Sequence, residues 1–139
     1  MRILLDTHVF LWFISAEPRL PRILREAIQD SDNTVFLSPV SIWEATVKHQ
    51  LGKLPLPDAP GTYLPLQRER HQIGSLPLDE ASVGHLASLP PLHRDPFDRM
   101  LICQALHHGL TLATLDGDIR GYEVPRIPAE RSSADLTQA

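Results

Sequence analysis

Short apolar runs alternate with helical patterns along this chain, and the alternation restricts the folds that it can adopt. Four apolar runs are too short for helices and predict buried strands; they lie at 2–5, 34–37, 110–115 and 124–127. The longer segments between them place apolar residues at helical spacing. Because parallel strands need crossover helices, we expect an α/β fold in which a central, mainly parallel sheet is flanked by helices.

Two helix starts are marked by a capping residue followed by proline. Ser38 and Pro39 begin the helix after the second apolar run, and we expect this helix to turn Trp43 toward the core. Asp95 and Pro96 give the same signal ahead of the third run. The strand after that last helix should end at the carboxyl edge of the sheet, where open α/β sheets place their ligands.

The length of 139 residues fits one domain, which would bury about 68% of the surface of its unfolded chain. We assign residues 1–128 to this domain and predict a flexible tail at 129–139. No apolar run approaches the roughly 18 residues of a membrane span, and the N-terminus lacks a secretory signal pattern. We therefore expect a cytoplasmic protein without membrane contact. Cys103, the single cysteine, excludes an internal disulfide and fits a buried thiol.

The first two predicted helices are rich in apolar side chains. Residues 7–14 are apolar on nearly every side, and residues 20–28 follow with an amphipathic pattern. Together they offer more apolar side chains than two short helices need to cover one face of a sheet. We expect some of them to remain exposed, as a groove for a partner segment or as a dimer surface.

Four carboxylates from distant parts of the chain are expected to meet at one edge of the sheet. Asp6 follows the first apolar run, Glu44 lies on the helix after the second, and Asp116 follows the third. Asp98 reaches the same edge from the first turn of its helix, where unpaired N–H groups favour a negative charge. Because like charges repel strongly in a water-poor crevice, such a cluster requires a cation. Oxygen ligands of this type suit Mg²⁺ or Mn²⁺.

Each acid also has a purely structural explanation. Asp6 and Asp95 are suitable helix caps, and Glu44 could form a capping box with Ser41, three residues earlier. The sequence 116–118, Asp-Gly-Asp, is a common turn composition. Only the convergence of the acids favours a functional site.

The net charge of −4 at first argues against a nucleic-acid partner. Six of the 17 acids belong to the candidate site, however, and without them the 13 Lys and Arg residues outnumber the remaining acids. Those six are Asp6, Glu44, Asp95, Asp98, Asp116 and Asp118. The overall charge therefore excludes no class of partner.

The acids lie in motifs that resemble those of PIN-domain proteins. In chain order the motifs are Leu4-Leu5-Asp6-Thr7-His8, Ser38-Pro39-Val40-Ser41-Ile42-Trp43-Glu44, Asp95-Pro96-Phe97-Asp98-Arg99 and Thr114-Leu115-Asp116. Four motifs in this order, within residues 2–127, resemble more narrowly the VapC-type toxins of bacterial toxin–antitoxin pairs. The resemblance implies a compact α/β domain, a magnesium- or manganese-dependent endoribonuclease, a cognate antitoxin and usually a homodimer.

The resemblance also assigns roles to individual residues. The acids that match the family's catalytic metal ligands are Asp6, Glu44, Asp98 and Asp116. The residues that would support these acids or contact the substrate are Thr7, Ser38, Asp95, Arg99, Thr114 and Asp118. Family alignment favours Asp98 as ligand and Asp95 as cap. Arg99 is either a phosphate clamp, since its planar guanidinium matches phosphate geometry, or a solvated arginine.

Three functions from different classes fit these observations to different degrees. The first is RNA hydrolysis, in which a bound ion polarises the phosphate and activates a water molecule. The second is an inactive PIN-fold module that binds RNA or protein. The third is a haloacid-dehalogenase-like phosphatase, in which Asp6 would accept the phosphoryl group. That family has a second acid two residues later, where this chain has His8.

Seven histidines raise the question of a zinc site. No two of them are separated by four residues, and no cysteine pairs with them. His107 and His108 lie at a predicted helix end, where the helix dipole favours their positive charge. These ligand patterns lead us to expect no zinc site.

Overall fold

The structure is a computed structural model that describes residues 1–92, 95–115, 119 and 122–127. Its elements in chain order are β1 (Arg2–Leu5), α1 (Thr7–Ile14), α2 (Arg22–Gln29), β2 (Thr34–Leu37), α3 (Pro39–Gln50), α4 (Pro60–Arg70), β3 (Gly74–Ser75), α5 (Glu80–Gly84), a 3₁₀ turn (His85–Ser88), α6 (Pro96–His108), β4 (Thr111–Ala113) and β5 (Arg126–Ile127). Within these ranges five strands form one sheet in the order β3-β2-β1-β4-β5.

Every strand pair in this sheet is parallel, which confirms the predicted fold class. β1 lies at the centre between β2 and β4, and Leu5 pairs with Ala113 at the carboxyl ends of their strands. The backbone N–H of Asp6 donates to the carbonyl of Ala113 over 2.9 Å. Asp6 and Thr114 therefore leave the sheet side by side at the same edge.

The two faces of the sheet contribute to two separate apolar clusters, because alternate residues of a strand point to opposite faces. Ile3 and Leu5 belong to the cluster that α1 and α2 cover. Leu4 belongs to the cluster formed mainly with α6, which includes the fully buried Cys103. Helices thus cover both faces, as the sequence predicted.

The start and end of α6 agree with the sequence signals. Asp95 is the N-cap, Pro96 occupies the first turn, and Gly109 ends the helix in the left-handed conformation, with φ of 65°. A residue with a Cβ atom would be strained in that conformation, which explains the glycine.

α3 turns a different face to the core than we expected. Trp43, expected inside, is 58% exposed, whereas Ser41 and Glu44 are each 2% exposed. The prediction followed apolar residues alone, but the buried stripe of this helix contains polar side chains. The buried arc of α3 runs from Val40 through Glu44 to Ala45, and Trp43 lies about 100° from Glu44 on the side away from Ala45, outside this arc.

Several predictions fall on residues that the structure does not describe. They concern the acids Asp116 and Asp118 and the tail at 129–139. In the described part of the chain, no helix is both long and apolar enough to cross a membrane.

Candidate active site

A pocket of about 280 Å³ opens at the carboxyl edge of the sheet. The residues that line it are Asp6, His8, Glu44, Asp95, Asp98 and Leu115. The acids come from three parts of the chain, namely the end of β1, the middle of α3 and the start of α6. The structure therefore brings together the three predicted acids that lie within the described ranges, together with Asp95.

Asp6 is both a helix cap and a lining residue of the pocket. Its side chain is held between two backbone N–H groups, since Oδ1 accepts from Val9 over 2.8 Å and Oδ2 accepts from Leu115 over 3.2 Å. Burial raises the pKa of Asp6, while a hydrogen bond from the Thr114 side chain and the two backbone N–H groups act in the opposite direction. The cap explanation and the site explanation are thus compatible.

Glu44 is a carboxylate inside the protein with two side-chain partners. Its Oε1 accepts a hydrogen bond from the Thr7 hydroxyl over 2.9 Å, and its Oε2 forms an ion pair with Lys48 one helical turn later. Burying a carboxylate is costly even when it is paired, and apolar side chains can often replace a buried ion pair without loss of stability. The position of Glu44 is therefore better explained by function than by packing.

The capping box proposed for Ser41 and Glu44 is wrong. The N-cap of α3 is Ser38, whose hydroxyl accepts from the backbone N–H of Val40 over 3.1 Å. Ser41 lies inside the helix, and its hydroxyl has no hydrogen-bond partner among the described residues. Ser38 is fully buried and acts as the helix cap rather than as a lining residue of the pocket.

Asp95 and Asp98 share the first turn of α6 but differ in their surroundings. Asp95 Oδ1 accepts from the backbone N–H groups of Phe97, over 2.9 Å, and of Asp98, over 3.3 Å. One oxygen of Asp95 therefore serves as the helix cap. Asp98 lies half-buried within the turn and also lines the pocket.

Arg99, the candidate phosphate clamp, does not line the pocket. Its Nη1 donates to the carbonyl of Pro90 over 2.9 Å and to the Tyr122 hydroxyl over 3.2 Å. Successive helix residues lie about 100° apart, so Arg99 leaves the helix in a different direction from Asp98. In this structure the guanidinium fastens the segment before α6 to Tyr122.

Of two further residues near the pocket, the sequence analysis missed Lys48 and wrongly assigned Trp43 to the core. Lys48 follows Glu44 by four residues, a spacing at which opposite charges on a helix meet, so this signal was available. Trp43 packs edge-to-face against Phe97, with ring centroids 4.7 Å apart. The aromatic pair joins α3 to α6 directly beside Glu44 and Asp98 in sequence.

The donor set of the pocket fits a hard divalent cation. Most of its polar lining consists of carboxylate oxygens, the ligands that Mg²⁺ and Mn²⁺ prefer. Three of the carboxylates are fixed by other groups: Asp6 and Asp95 by backbone N–H groups, and Glu44 by Thr7 and Lys48. Such outer partners orient ligands in metal sites.

Comparison with known proteins gives the family. The chain matches the PIN domain over residues 3–124. It is also similar to Ribonuclease VapC16 from Mycobacterium tuberculosis, with 36% identity over 61 residues, or 44% of this chain and 43% of that protein. The match thus spans less than half of the length of that relative.

Solved structures agree with the fold. VapBC2 from Rickettsia felis, bound to a DNA fragment from its promoter, gives a TM-score of 0.69 at 14% identity over 91% of this chain and 97% of that chain. VapBC-1 from nontypeable Haemophilus influenzae gives 0.61 at 17% identity, over 91% and 96% of the two chains. At these identities the likeness concerns the fold. Because the family match covers most of its length, this chain belongs to the PIN-domain family.

Proposed function

We propose that this protein is a metal-dependent endoribonuclease and the toxin of a toxin–antitoxin pair. The observation that carries the proposal is the pocket in which Asp6, Glu44 and Asp98 converge, with Glu44 buried and held by Thr7 and Lys48. RNA as substrate is supported by family membership and by the partial match to Ribonuclease VapC16.

Asp6, Glu44 and Asp98 would hold Mg²⁺ or Mn²⁺, and Asp116 is the fourth proposed ligand. A bound ion of this kind supplies a polarised phosphate oxygen and a water molecule of lowered pKa. The protein's own groups fix the carboxylates in advance. Asp6 is held by two backbone N–H groups, and Thr7 fixes the orientation of the Glu44 carboxylate.

The surface beside the pocket offers contacts for single-stranded RNA. The exposed ring of Trp43, supported by Phe97, is of the kind on which bases stack. His8 is exposed on the pocket rim and can donate an N–H to a phosphate oxygen. These two residues are the proposed substrate contacts among the described residues.

The proposed partner is an antitoxin that covers apolar surface of α1 and α2. Leu11, Trp12, Phe13 and Ile14 are only half-buried, and Ile23 is 54% exposed. The sequence had predicted this surplus of apolar side chains. The similar solved structures are VapBC complexes, which supports an antitoxin as partner, and a homodimer is the second proposed use of this surface. We place the action of the protein in the cytoplasm, where its RNA substrate lies.

The test is cleavage of a labelled RNA by the wild-type protein in manganese, in magnesium and in chelator, with a phosphomonoester as a second substrate. The proposal expects metal-dependent RNA cleavage that is lost in Glu44→Gln and kept in Asp32→Asn, an exposed acid outside the pocket. Release of phosphate from the monoester alone would indicate a phosphatase. Retention of RNA without cleavage would indicate a binding module.

A further inference from the structure

A second group of metal-ligating side chains lies at the far end of α6 from the acid pocket. Asp98 is in the first turn of this helix, and His107 and His108 are in its last turn. His107 follows Asp98 by nine positions in the helix, which corresponds to about 13.5 Å along the helix axis. The second group is therefore distinct from the proposed active site.

Asp79 completes this group from another part of the chain. One ligand atom each from Asp79, His107 and His108 lies within 4.8 Å of the other two. His108 Nε2 lies 3.0 Å from Asp79 Oδ2. Distances of this size approach those in a tetrahedral metal site, where ligands about 2.0–2.2 Å from the ion lie about 3.4 Å from each other.

The backbone and the neighbouring side chains hold these groups in position. Asp79 is the N-cap of α5, and its Oδ1 accepts from the backbone N–H of Ser82 over 2.7 Å. Its other oxygen faces His108. The carbonyl of His108 in turn accepts from Arg2 over 3.1 Å, which ties this end of α6 to β1.

One ring nitrogen of His108, Nε2, lacks a hydrogen-bond partner in the described part of the chain. Nε2 is shielded from solvent and has no aligned hydrogen bond with any described residue, although Asp79 Oδ2 is only 3.0 Å away. Buried polar atoms without a partner are uncommon and call for an explanation. A cation shared by the imidazole and the carboxylate would satisfy both.

His85 occupies the position of an outer partner. Its Nε2 lies 3.1 Å from His107 Nδ1, and the two rings meet edge-to-face with centroids 5.2 Å apart. A hydrogen bond at Nδ1 leaves Nε2 of His107 for a metal ion. Ligating histidines commonly have such a hydrogen bond at their second nitrogen.

We propose that Asp79, His107 and His108 form a binding site for a divalent transition-metal ion, with Zn²⁺ as its expected occupant. Two imidazoles and one carboxylate are typical zinc ligands, whereas Mg²⁺ prefers oxygen ligands alone. Three protein ligands leave a fourth position for water. The ion would join the start of α5 to the end of α6. The ligand patterns in the sequence had predicted no zinc site, since the two histidines are adjacent rather than four residues apart and Asp79 lies 28 residues before His107.

A His–Asp ion pair at the end of a helix is the competing explanation, because it needs no metal. The experiment is calorimetric titration of Zn²⁺ into tag-free, full-length protein in a buffer that contains excess Mg²⁺. We expect one zinc equivalent per chain in the wild type and at least 10-fold weaker binding in His108→Gln and in Asp79→Asn. Because asparagine is as good an N-cap as aspartate, Asp79→Asn keeps the start of α5.

Two control variants make the result decisive. His71→Gln removes an exposed histidine outside the group, and Asp98→Asn alters the acid pocket. Both should bind zinc as the wild type does, and zinc should raise the Tm of both but not of His108→Gln. Wild-type binding no tighter than that of His108→Gln would overturn the proposal. Binding that is lost in Asp98→Asn and kept in His108→Gln would overturn it too, since zinc would then occupy the acid pocket.

Discussion

The two side-chain partners of Glu44 allow its contribution to stability to be tested separately from its contribution to catalysis. Thr7 and Lys48 together satisfy both carboxylate oxygens of this buried residue. Removing one partner of a buried pair is usually more harmful than replacing both by apolar groups of similar shape. This difference gives a test in which a second substitution restores stability but not activity.

Glu44→Gln should destabilise the protein by about 1–3 kcal/mol, because the Lys48 ammonium loses its countercharge. The double variant Glu44→Gln with Lys48→Met should recover most of that stability, since neither unpaired charge remains. RNA cleavage should stay at least 100-fold below the wild type in both. Urea unfolding and cleavage of a labelled RNA measure the two effects. Recovery of cleavage in the double variant would mean that Glu44 matters only through its ion pair.

Asp95 and Asp98 can be separated by amide substitutions because asparagine caps a helix as well as aspartate does. Asp95→Asn should therefore keep the Tm of the wild type, and cleavage should fall by less than 10-fold. Asp98→Asn should lose at least 100-fold, as expected for a direct metal ligand. Asp118→Asn should fall between them, since loss of an outer partner typically costs about 10–100-fold. If Asp95→Asn were inactive and Asp98→Asn remained active, Asp95 rather than Asp98 would be the metal ligand.

At the scale of the helices and strands, patterns of apolar residues predicted where elements lie better than which face they bury. The ends of α6 were clear because Asp95 and Gly109 have specific backbone roles. The buried face of α3 was not, because Glu44 is inside and Trp43 is outside. β3 has only two residues, too few to show an alternating pattern. Which face of α3 is buried depends on contacts with other elements, such as the hydrogen bond from Thr7 of α1 to Glu44, and the local sequence of α3 does not show these contacts.

The exposed ring of Trp43 makes a specific prediction about substrate binding. Trp43→Ala should reduce stability by about 1 kcal/mol, because it removes the edge-to-face contact with Phe97 although more than half of the residue is exposed. Stacking of one base is worth about 1–3 kcal/mol, so the KM for single-stranded RNA should rise by about 5–150-fold. The kcat should change less than the KM does. Leu51→Ala, an exposed apolar residue at the other end of α3, is the matched control. An equal effect in both variants would contradict a stacking role.

At the scale of the whole molecule, the parallel sheet explains why acids far apart in sequence meet. β1 and β4 are adjacent and end at the same edge, so Asp6 is close to Thr114 and Leu115, which follow β4. This convergence followed from the order of strands and helices alone. Lys48 as a countercharge and the pairing of Arg99 with Tyr122 did not, because they depend on side-chain directions in the folded protein. The sequence thus predicts which acids meet better than it predicts how their charges are balanced.

Burial rather than repulsion between acids is the main cause of the raised pKa of Asp6. A raised folded-state pKa means that the folded protein binds this proton more tightly than the unfolded chain. The contribution to stability is complete below the unfolded value of 3.8 and is lost as pH rises through the folded value. The pKa of Asp79 is shifted in the opposite direction, because Ser82 and the two nearby histidines lower it to about 2. Its contribution is lost as pH falls from 3.8 toward 2, and the Asp79 carboxylate itself stays ionised in both states between pH 5 and 8.

Metal-free protein should therefore melt at a lower temperature at pH 8 than at pH 5. Manganese should reverse this trend, because the ion binds deprotonated carboxylates and stabilises the folded state by about 2.7 kcal/mol at a hundred times its Kd. The gap in Tm between manganese and chelator should then widen as pH rises. Asp98→Asn, which lacks one proposed ligand, should show little gap at any pH. Thermal melts of both proteins at pH 5, 6.5 and 8 measure the effect. A wild type that responds to manganese no more than Asp98→Asn does would show that the carboxylates of the pocket serve as helix caps and ion-pair partners.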